Sequence, residues 1–446
     1  MKEFKQFTLD DWIDYTQQLH WRSIDLTLDR VAEVWQALHL PLPEFIITVA
    51  GTNGKGSSVA MFDAVFQAQG KKTGAYTSPY LICYNERIRL SGEMVSDELL
   101  CEGFCEIESV RGNIPLTYFE FGTLCAMWIF VKQGVDVAIL EVGMGGVSDA
   151  VNVFDSNIAL ITTIDFDHEK WLGSDREQIG AQKAGVMRKN GLAVCADPSP
   201  PSVIGETASN LDVHLLQFQT HFFVDTQDGL TTWSCTDPEV GAQWKEITEL
   251  RCPLDGDYQI RNLAGVIATL ALSAAQTGIS VDHLRGGLNN VHIDGRCQII
   301  STKPEIIIDV AHNRQSAQEL GHFLASRPEL GDKDKTIAVV GILEDKSVKD
   351  LIGPVLPYID SWYLASLPGD RAQTSQQLSE KLAKLYAQTV DNRSSLDHEV
   401  VCFDSPVLAY QAATQEMSND DRLVIFGSFY TVGDILGSIR HNQETD

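Results

Sequence analysis

Short apolar runs recur along the chain, separated by stretches whose apolar residues fall at helical spacing. Residues 46–50, 72–76, 136–140 and 157–164 are rich in Val, Ile, Ala and Thr and read as strands. Residues 57–68, a stretch from about 97 and 119–131 read as the helices between them. Ahead of these, Trp12, Ile13, Tyr15, Leu19, Leu26, Leu28, Val31, Val34 and Leu38 extend a helical pattern over 8–38, with Thr8 as its cap and Pro41 and Pro43 ending it. Strands alternating with helices predict a mostly parallel sheet. Between about 203 and 255 the pattern changes to a hairpin, 221–225 and 230–233 around the turn 226–229, so a small antiparallel β subdomain is expected. An Ala-rich helix over 262–276 follows, then a hinge at 292–296. Beyond it, strands at 306–308, 336–341, 361–366, 399–403 and 422–426 predict a second, Rossmann-like α/β domain, here without a G-x-G-x-x-G fingerprint. The expected division is 1–293 and 294–446.

Polar groups gather where these strands end. After the first strand come Gly51-Thr52-Asn53-Gly54-Lys55-Gly56-Ser57-Ser58. Three glycines let the backbone turn and aim its N–H groups at one spot, the next helix adds its positive dipole end, and Lys55 adds a cation. This is a phosphate cradle of the P-loop kind, though Gly56 separates the lysine from the hydroxyl, unlike the usual G-x-x-x-x-G-K-[ST]. Ser78, Glu141 and Asp167-His168 lie at or just past other strand ends, and in an open α/β sheet those ends share one ligand-binding edge. Ser78 alone reads as an ordinary turn residue. Glu141, a lone carboxylate ending Val-Ala-Ile-Leu, suits a nucleotide-bound Mg²⁺. Imidazole is an unusual magnesium partner, so His168 on chemistry alone reads as a hydrogen-bonding residue. Asp309 either holds a ribose or caps the next helix.

Composition narrows the partners. The 446 residues carry 34 Lys plus Arg against 61 Asp plus Glu, a formal net charge of −27, which disfavours nucleic acid and anionic membranes as partners. Any polyanionic ligand must be held by a local positive site such as the loop at Lys55. Nine scattered cysteines without a C-x-x-C pair suggest neither a disulfide framework nor a zinc site. No signal peptide or membrane span is seen at this level, so a cytoplasmic protein is expected, and the absence of an obvious apolar stripe gives no reason to expect more than a monomer.

In this order, the motifs resemble the folylpolyglutamate synthase and dihydrofolate synthase family, a branch of the Mur-ligase-like ATP-dependent amide ligases. The resemblance runs nearly end to end. It is carried by Leu19-His20 with Ile24-Asp25-Leu26, the Gly51–Ser57 loop, Thr77-Ser78-Pro79, Asn85-Glu86-Arg87-Ile88, Phe119-Glu120 with Thr123, and Glu141-Val142-Gly143. Asp149-Ala150 with Asn152, Asp167-His168, Trp171-Leu172-Gly173, Lys183-Ala184-Gly185, Gly295-Arg296, Asp309-Val310-Ala311-His312-Asn313 and Gly427-Ser428-Phe429 complete it. It implies that residues 51–58, Asn262, Arg296, Asp309 and His312 contact ATP, and that Ser78, Glu141 and His168 bind two Mg²⁺ ions. It further implies a carbamylated Lys183, catalytic parts for Lys55, Lys183 and His168, and a pterin or folate pocket near Phe119, Thr123, Asp149 and Ala150.

The implied reaction joins L-glutamate to dihydropteroate through an acyl phosphate and extends reduced folates to polyglutamates. The alternatives are folate polyglutamylation only, or a non-catalytic nucleotide-binding paralogue. A cell-wall ligase for a UDP-linked precursor ranks lower, since the loop at Gly51 leaves no room for a preceding UDP-binding domain. Val147, Ser148 and Val151 depart from the family's usual Arg, Leu and Thr, Tyr80 and Tyr430 from His, and Arg314 from Pro. None of these removes an expected phosphate or metal contact.

Overall fold

Every strand of the largest sheet is short, and its central members are buried from end to end, as near-continuous Val, Ile, Leu and Ala runs require when helices cover both faces. The computed structural model describes residues 4–22, 24–331, 333–369, 372–389 and 399–445. They divide into two compact units. The first comprises 1–80, 84–253 and 259–292; the second comprises 81–83, 254–258 and 293–446.

In the first unit, helices α1 (Leu9–Leu19) and α2 (Asp29–Leu38) precede β1 (Phe45–Ala50) and α3 (Lys55–Ala68). Then come β2 (Thr73–Tyr76), β3 (Ile88–Leu90), β4 (Glu93–Met94), α4 (Asp97–Arg111), α5 (Tyr118–Lys132) and β5 (Val137–Glu141). They are followed by β6 (Ile158–Ile161), α6 (Glu169–Leu172), α7 (Arg176–Ala184), β7 (Leu192–Cys195), α8 (Ser202–Asn210) and β8 (His214–Gln217). The sheet order is β4-β3-β2-β5-β1-β6-β7-β8. It is parallel from β2 to β8, with an antiparallel edge at β3 and β4. Thus β1 lies centrally between β5 and β6, and the glycine loop leaves the sheet where the order reverses. One sheet face, through Ile46, Ala50, Ala138, Leu140 and Ile161, packs in a core shared with Phe104, Phe121 and Leu124 of α4 and α5. On the other face Leu160 meets Gly265 of helix α9 (Asp257–Thr277), and α10 (Val281–Leu288) packs on α3.

The hairpin strands β9 (Phe222–Gln227) and β10 (Leu230–Cys235) pair with β11 (Glu246–Leu250) in a separate three-stranded antiparallel sheet.

In the second unit β12 (Gln298–Thr302) pairs antiparallel with β13 (Glu305–Ile308). The rest, β14 (Thr336–Val340), β15 (Ser361–Ala365), β16 (Glu399–Phe403) and β17 (Arg422–Phe426), run parallel in the order β12-β13-β17-β14-β15-β16. Helices α11 (Arg314–Ala325), α12 (Val348–Ile352), α13 (Ser375–Thr389), α14 (Pro406–Glu416) and α15 (Phe429–Thr445) connect or follow these strands.

The predicted α/β class is observed, with several local corrections. The expected continuous helix over 8–38 is two helices. Thr8 does cap the first in a full capping box, but the helix stops at His20, whose Nδ1 accepts the Arg22 N–H at 3.0 Å and diverts the backbone. The short strands β3 and β4, for which the sequence shows no apolar run, extend the sheet at its antiparallel edge. Residues 203–217, expected in the small subdomain, instead belong to α8 and to β8 of the main sheet; the half-buried edge strand His214–Gln217 lacks the apolar run that marks a central one. The helix expected from Asn262 begins at Asp257. Among the described residues, no helix is long and apolar enough to cross a membrane.

Candidate active site

Two glycines make the turn after β1 possible. Gly51 has φ +149° and Gly54 φ +88°, and both are closely covered: a Cβ at Gly54 would lie 2.2 Å from Asn262 Oδ1. The loop is stapled to the end of β6. Thr52 N–H donates to Thr163 O at 2.7 Å, and the Thr52 hydroxyl donates to Asp165 O while accepting Asp165 N–H, each at 3.0 Å. Thr162 Oγ1 donates to Asn53 O at 2.6 Å. Lys55, in the first turn of α3, folds back so that its Nζ donates to Gly51 O at 3.0 Å and Thr52 O at 3.1 Å. From α9, Gln259 Nε2 donates to Ser57 Oγ at 3.2 Å, and Asn262 Nδ2 donates to Gln259 Oε1 at 2.8 Å. Both amides are buried. Ser58 is turned inward, its hydroxyl donating to Gly54 O at 2.9 Å.

Beside the loop, β2 and β5 end level, since Tyr76 pairs with Leu140. The Ser78 N–H donates to Glu141 Oε2 at 3.2 Å, and Glu141 is only 4% exposed. Past β6, His168 precedes α6 in the left-handed region, φ 51°, with its N–H donating to Asp167 Oδ1 at 2.8 Å and its side chain 41% exposed. The segment is therefore shaped to turn the imidazole outward at the sheet edge.

Lys183, in the last turn of α7, is buried and lies within the field of Lys55, Asp167 and Asp149. Burial lowers its amine to about 7, Lys55 pushes the same way, and the two carboxylates oppose. Asp149 is buried too; loss of water raises it to about 6 against backbone N–H donors and Lys55. Its Oδ2 accepts Met144 N–H at 2.8 Å and its Oδ1 accepts Val151 N–H at 3.0 Å, shaping the short 3₁₀ helix that starts at Ala150. Phe119 lies on Gly143, where a Cβ would come within 2.6 Å of its Cζ, and its ring is 5.9 Å from Tyr76. Thr123 Oγ1 donates to Phe119 O at 2.8 Å and lies 3.3 Å from Tyr76 Oη.

Arg296, Asp309 and His312 belong to the second unit and form their own cluster there. Buried Asp309 follows β13, and its carboxylate accepts Cys297 N–H and Ala311 N–H, each at 2.7 Å. That grip supports Cys297 in the left-handed region, φ 45°. Arg296 and His312 both face the Phe429 ring, at 5.3 Å and 5.4 Å. The alternatives left open for Asp309 resolve partly: helix α11 is capped by Asn313, whose Oδ1 accepts Ser316 N–H at 3.0 Å.

Gln259, Thr162 and Thr163 escaped the sequence reading, although each carried a signal. Gln259 lies one helical turn before Asn262, and the threonines break the apolar run of β6 just where the loop returns. Among the described residues no group of three or more His, Cys, Asp or Glu side chains is arranged to hold a metal by itself. The donors at this edge are one buried carboxylate, a hydroxyl and an imidazole. Such a sparse oxygen-rich set fits a magnesium ion that keeps water and binds substrate phosphates, and does not fit a structural zinc.

A phosphate-type loop on a parallel sheet, a carboxylate at the adjoining strand end and a second α/β unit define the class of Mur-type ligases. The Mur ligase middle domain family matches residues 49–270, and the Mur ligase glutamate ligase domain family matches 295–429. The chain is 36% identical to the dihydrofolate synthase/folylpolyglutamate synthase of Escherichia coli K12, over 96% of this chain and 94% of that one. It is 33% identical to the Haemophilus influenzae protein of the same name, over 96% of each. The structure of E. coli FolC with DHPP and ADP superposes with a TM-score of 0.88 at 35% identity, covering 98% of this chain and 99% of that one. A bifunctional folylpolyglutamate synthase/dihydrofolate synthase crystallised with Mn, AMPPNP and L-glutamate gives 0.85 at 35% identity, covering 98% of each. The chain belongs to the dihydrofolate synthase/folylpolyglutamate synthase family.

Proposed function

We propose that this protein is an ATP-dependent ligase that joins L-glutamate to dihydropteroate, giving dihydrofolate, and extends reduced folates to polyglutamates. The observation that carries the reading is the joining of the glycine loop to the β6 end, beside a buried Glu141 that accepts from Ser78. The ligands named for the related structures, ADP, AMPPNP, DHPP and L-glutamate, support the same substrates here.

The reaction follows from what a carboxylate needs. An oxygen of the acid attacks the γ-phosphorus of ATP, the bond to the β-phosphate oxygen breaks, and ADP departs. The amine of glutamate then attacks the acyl carbon, its proton leaves, and the C–O bond breaks to release phosphate. Both steps gather negative charge on oxygen, which loop N–H groups and Lys55 offset. In this reading Lys55 exchanges its two carbonyl acceptors for phosphate oxygens. Asn262, Arg296, Asp309 and His312 hold the rest of the nucleotide. Phe119, Thr123, Asp149 and Ala150 line the side that takes the pterin.

Ser78, Glu141 and His168 would hold Mg²⁺, two ions in this reading, which when bound supply positive charge to the phosphates. A Lys183 amine near 7 is free to react with CO₂, and a carbamate there would turn a buried cation into an anion facing Lys55. Nine free cysteines accord with a reducing cytoplasm, and the protein is read as a monomer acting there.

The test is purified protein with ATP, Mg²⁺, glutamate and either dihydropteroate or a reduced folate. ADP and phosphate release that requires both acid and glutamate is expected. Lys55→Ala should lower it by about 10²–10³-fold while leaving the melting temperature within a few degrees. ATP binding without glutamate-dependent turnover would instead identify a non-catalytic paralogue.

A further inference from the structure

The motif residues His20 and Asp25, together with Arg30, have no part in the reaction described above, yet they form one chain with Glu120, in which His20 and Glu120 are buried and Asp25 and Arg30 half-buried. Glu120 is the third residue of α5, 3% exposed, and completes a capping box: its Oε2 accepts Thr117 N–H at 2.7 Å, and its N–H donates to Thr117 Oγ1 at 3.2 Å. Its other oxygen accepts from Arg30 Nη2 at 2.8 Å. Arg30 Nη1 lies 3.5 Å from Asp25 Oδ1, and Asp25 Oδ2 lies 3.7 Å from His20 Nε2. The Arg30 Nε is buried with no hydrogen-bond partner, so this guanidinium is held by its two terminal nitrogens alone.

The preceding residue on α5 is Phe119, seated on Gly143, and Thr123 lies one turn further on. Helix α2 and the connector before it are thus tied to the first turn of the helix that bears the acid-side residues. We propose that Arg30 is a positioning residue for the acid substrate: through Glu120 it fixes the start of α5, and so the placement of Phe119 and Thr123. This rests on the pterin-side reading of those two residues. Glu120 could keep its cap to Thr117 without Arg30, but the start of α5 would lose this ion-paired tie to α2 and keep only the apolar packing between the two helices.

The experiment uses the full chain and three variants, with KM for dihydropteroate, KM for ATP and melting temperature as readouts. Arg30→Met strands the Glu120 carboxylate, so the melting temperature falls; KM for dihydropteroate rises about tenfold, while KM for ATP stays within twofold. Arg30→Met with Glu120→Gln removes the stranded charge but not the loss of the tie. Positioning requires the melting temperature to recover while KM for dihydropteroate stays raised. Recovery of both together overturns the proposal, as does an equal rise in both KM values. Arg30→Lys keeps the charge with a single-point donor and serves where Arg30→Met does not fold; its KM for dihydropteroate should lie between wild type and the tenfold value, and a wild-type KM overturns the proposal. A wild-type chain with no dihydropteroate-dependent turnover overturns the functional reading itself, whatever the variants do.

Discussion

The backbone N–H of Ser78 donates to Oε2 of Glu141 across 3.2 Å, joining the ends of two neighbouring parallel strands. The register that pairs Tyr76 with Leu140 puts them level, so neither loop can shift along its strand without breaking the contact. A carboxylate kept at 4% exposure has lost most of its water, and a desolvated anion next to a phosphate loop strengthens any cation placed there.

Glu141→Gln separates charge from shape at this point. The amide oxygen still accepts from Ser78, so the melting temperature should move by no more than a few degrees. Turnover should fall by about 10²–10³-fold, with half-maximal activity displaced to higher Mg²⁺. A magnesium titration of ADP release beside a thermal melt measures both. An unchanged magnesium response would remove Glu141 from the metal assignment.

Lys183 gives a prediction in pH. An unfolded lysine keeps its proton to about 10.4, whereas the native amine gives it up above about 7. Between those values the unfolded chain binds more protons, so the unmodified native protein gains stability as pH rises from 7 toward 10. The burial cost is full below pH 7. Melts at pH 7, 8 and 9 in CO₂-free buffer should show this slope in the wild type and a flatter one in Lys183→Met. Only the neutral amine takes up CO₂, so at equal dissolved CO₂ activity should return to stripped enzyme faster at pH 8 than at pH 6. Activity indifferent to CO₂ at both values would exclude the carbamate.

What the sequence disclosed and what it hid divide along a physical line. The glycine loop, Glu141 and Asp309 sit where apolar strands stop, so hydrophobic periodicity alone locates them. The loop's supports did not announce themselves. Thr52 meets Asp165, and Ser57 meets Gln259, across 113 and 202 positions of sequence, and such pairings are fixed by strand order and helix packing. The break between α1 and α2 was hidden for a different reason. Its apolar residues keep helical spacing, but His20 captures the backbone of Arg22 and ends the helix by side-chain competition. Strand β8 was missed because an edge strand needs no continuous apolar run.

Asp309→Ala tests the second unit alone. Its carboxylate accepts two backbone N–H groups, of Cys297 and Ala311, in a fully buried setting. Burial raises this carboxyl, while nearby Arg296 and the two amides hold it down. Removing it leaves both amides unsatisfied, at a cost of about 1–3 kcal/mol each, and releases the left-handed Cys297. Calorimetry should show a lower-melting transition for the second unit, with the first unit's transition in place. A melting profile identical to wild type would mean that the carboxylate serves only as a ligand contact.

Gly54→Ala tests the loop, and Gly70 supplies its control. Both glycines have left-handed φ, +88° and +82°, so alanine meets a similar backbone penalty of about 1–2 kcal/mol at either site. Their surroundings differ. A Cβ at Gly70 meets nothing within 4 Å, whereas one at Gly54 would lie 2.2 Å from Asn262 Oδ1. Asn262 cannot retreat without disturbing its bond to Gln259, and through that the hold on Ser57. Gly54→Ala should therefore weaken binding of a fluorescent ATP analogue by at least about tenfold, a loss of roughly 1.4 kcal/mol, while Gly70→Ala leaves it unchanged. Adding Asn262→Ala to Gly54→Ala removes the clash but also an expected nucleotide contact, so only partial recovery is expected. Full recovery would show Asn262 to be a packing residue, and equal losses at Gly54 and Gly70 would trace the effect to backbone strain alone.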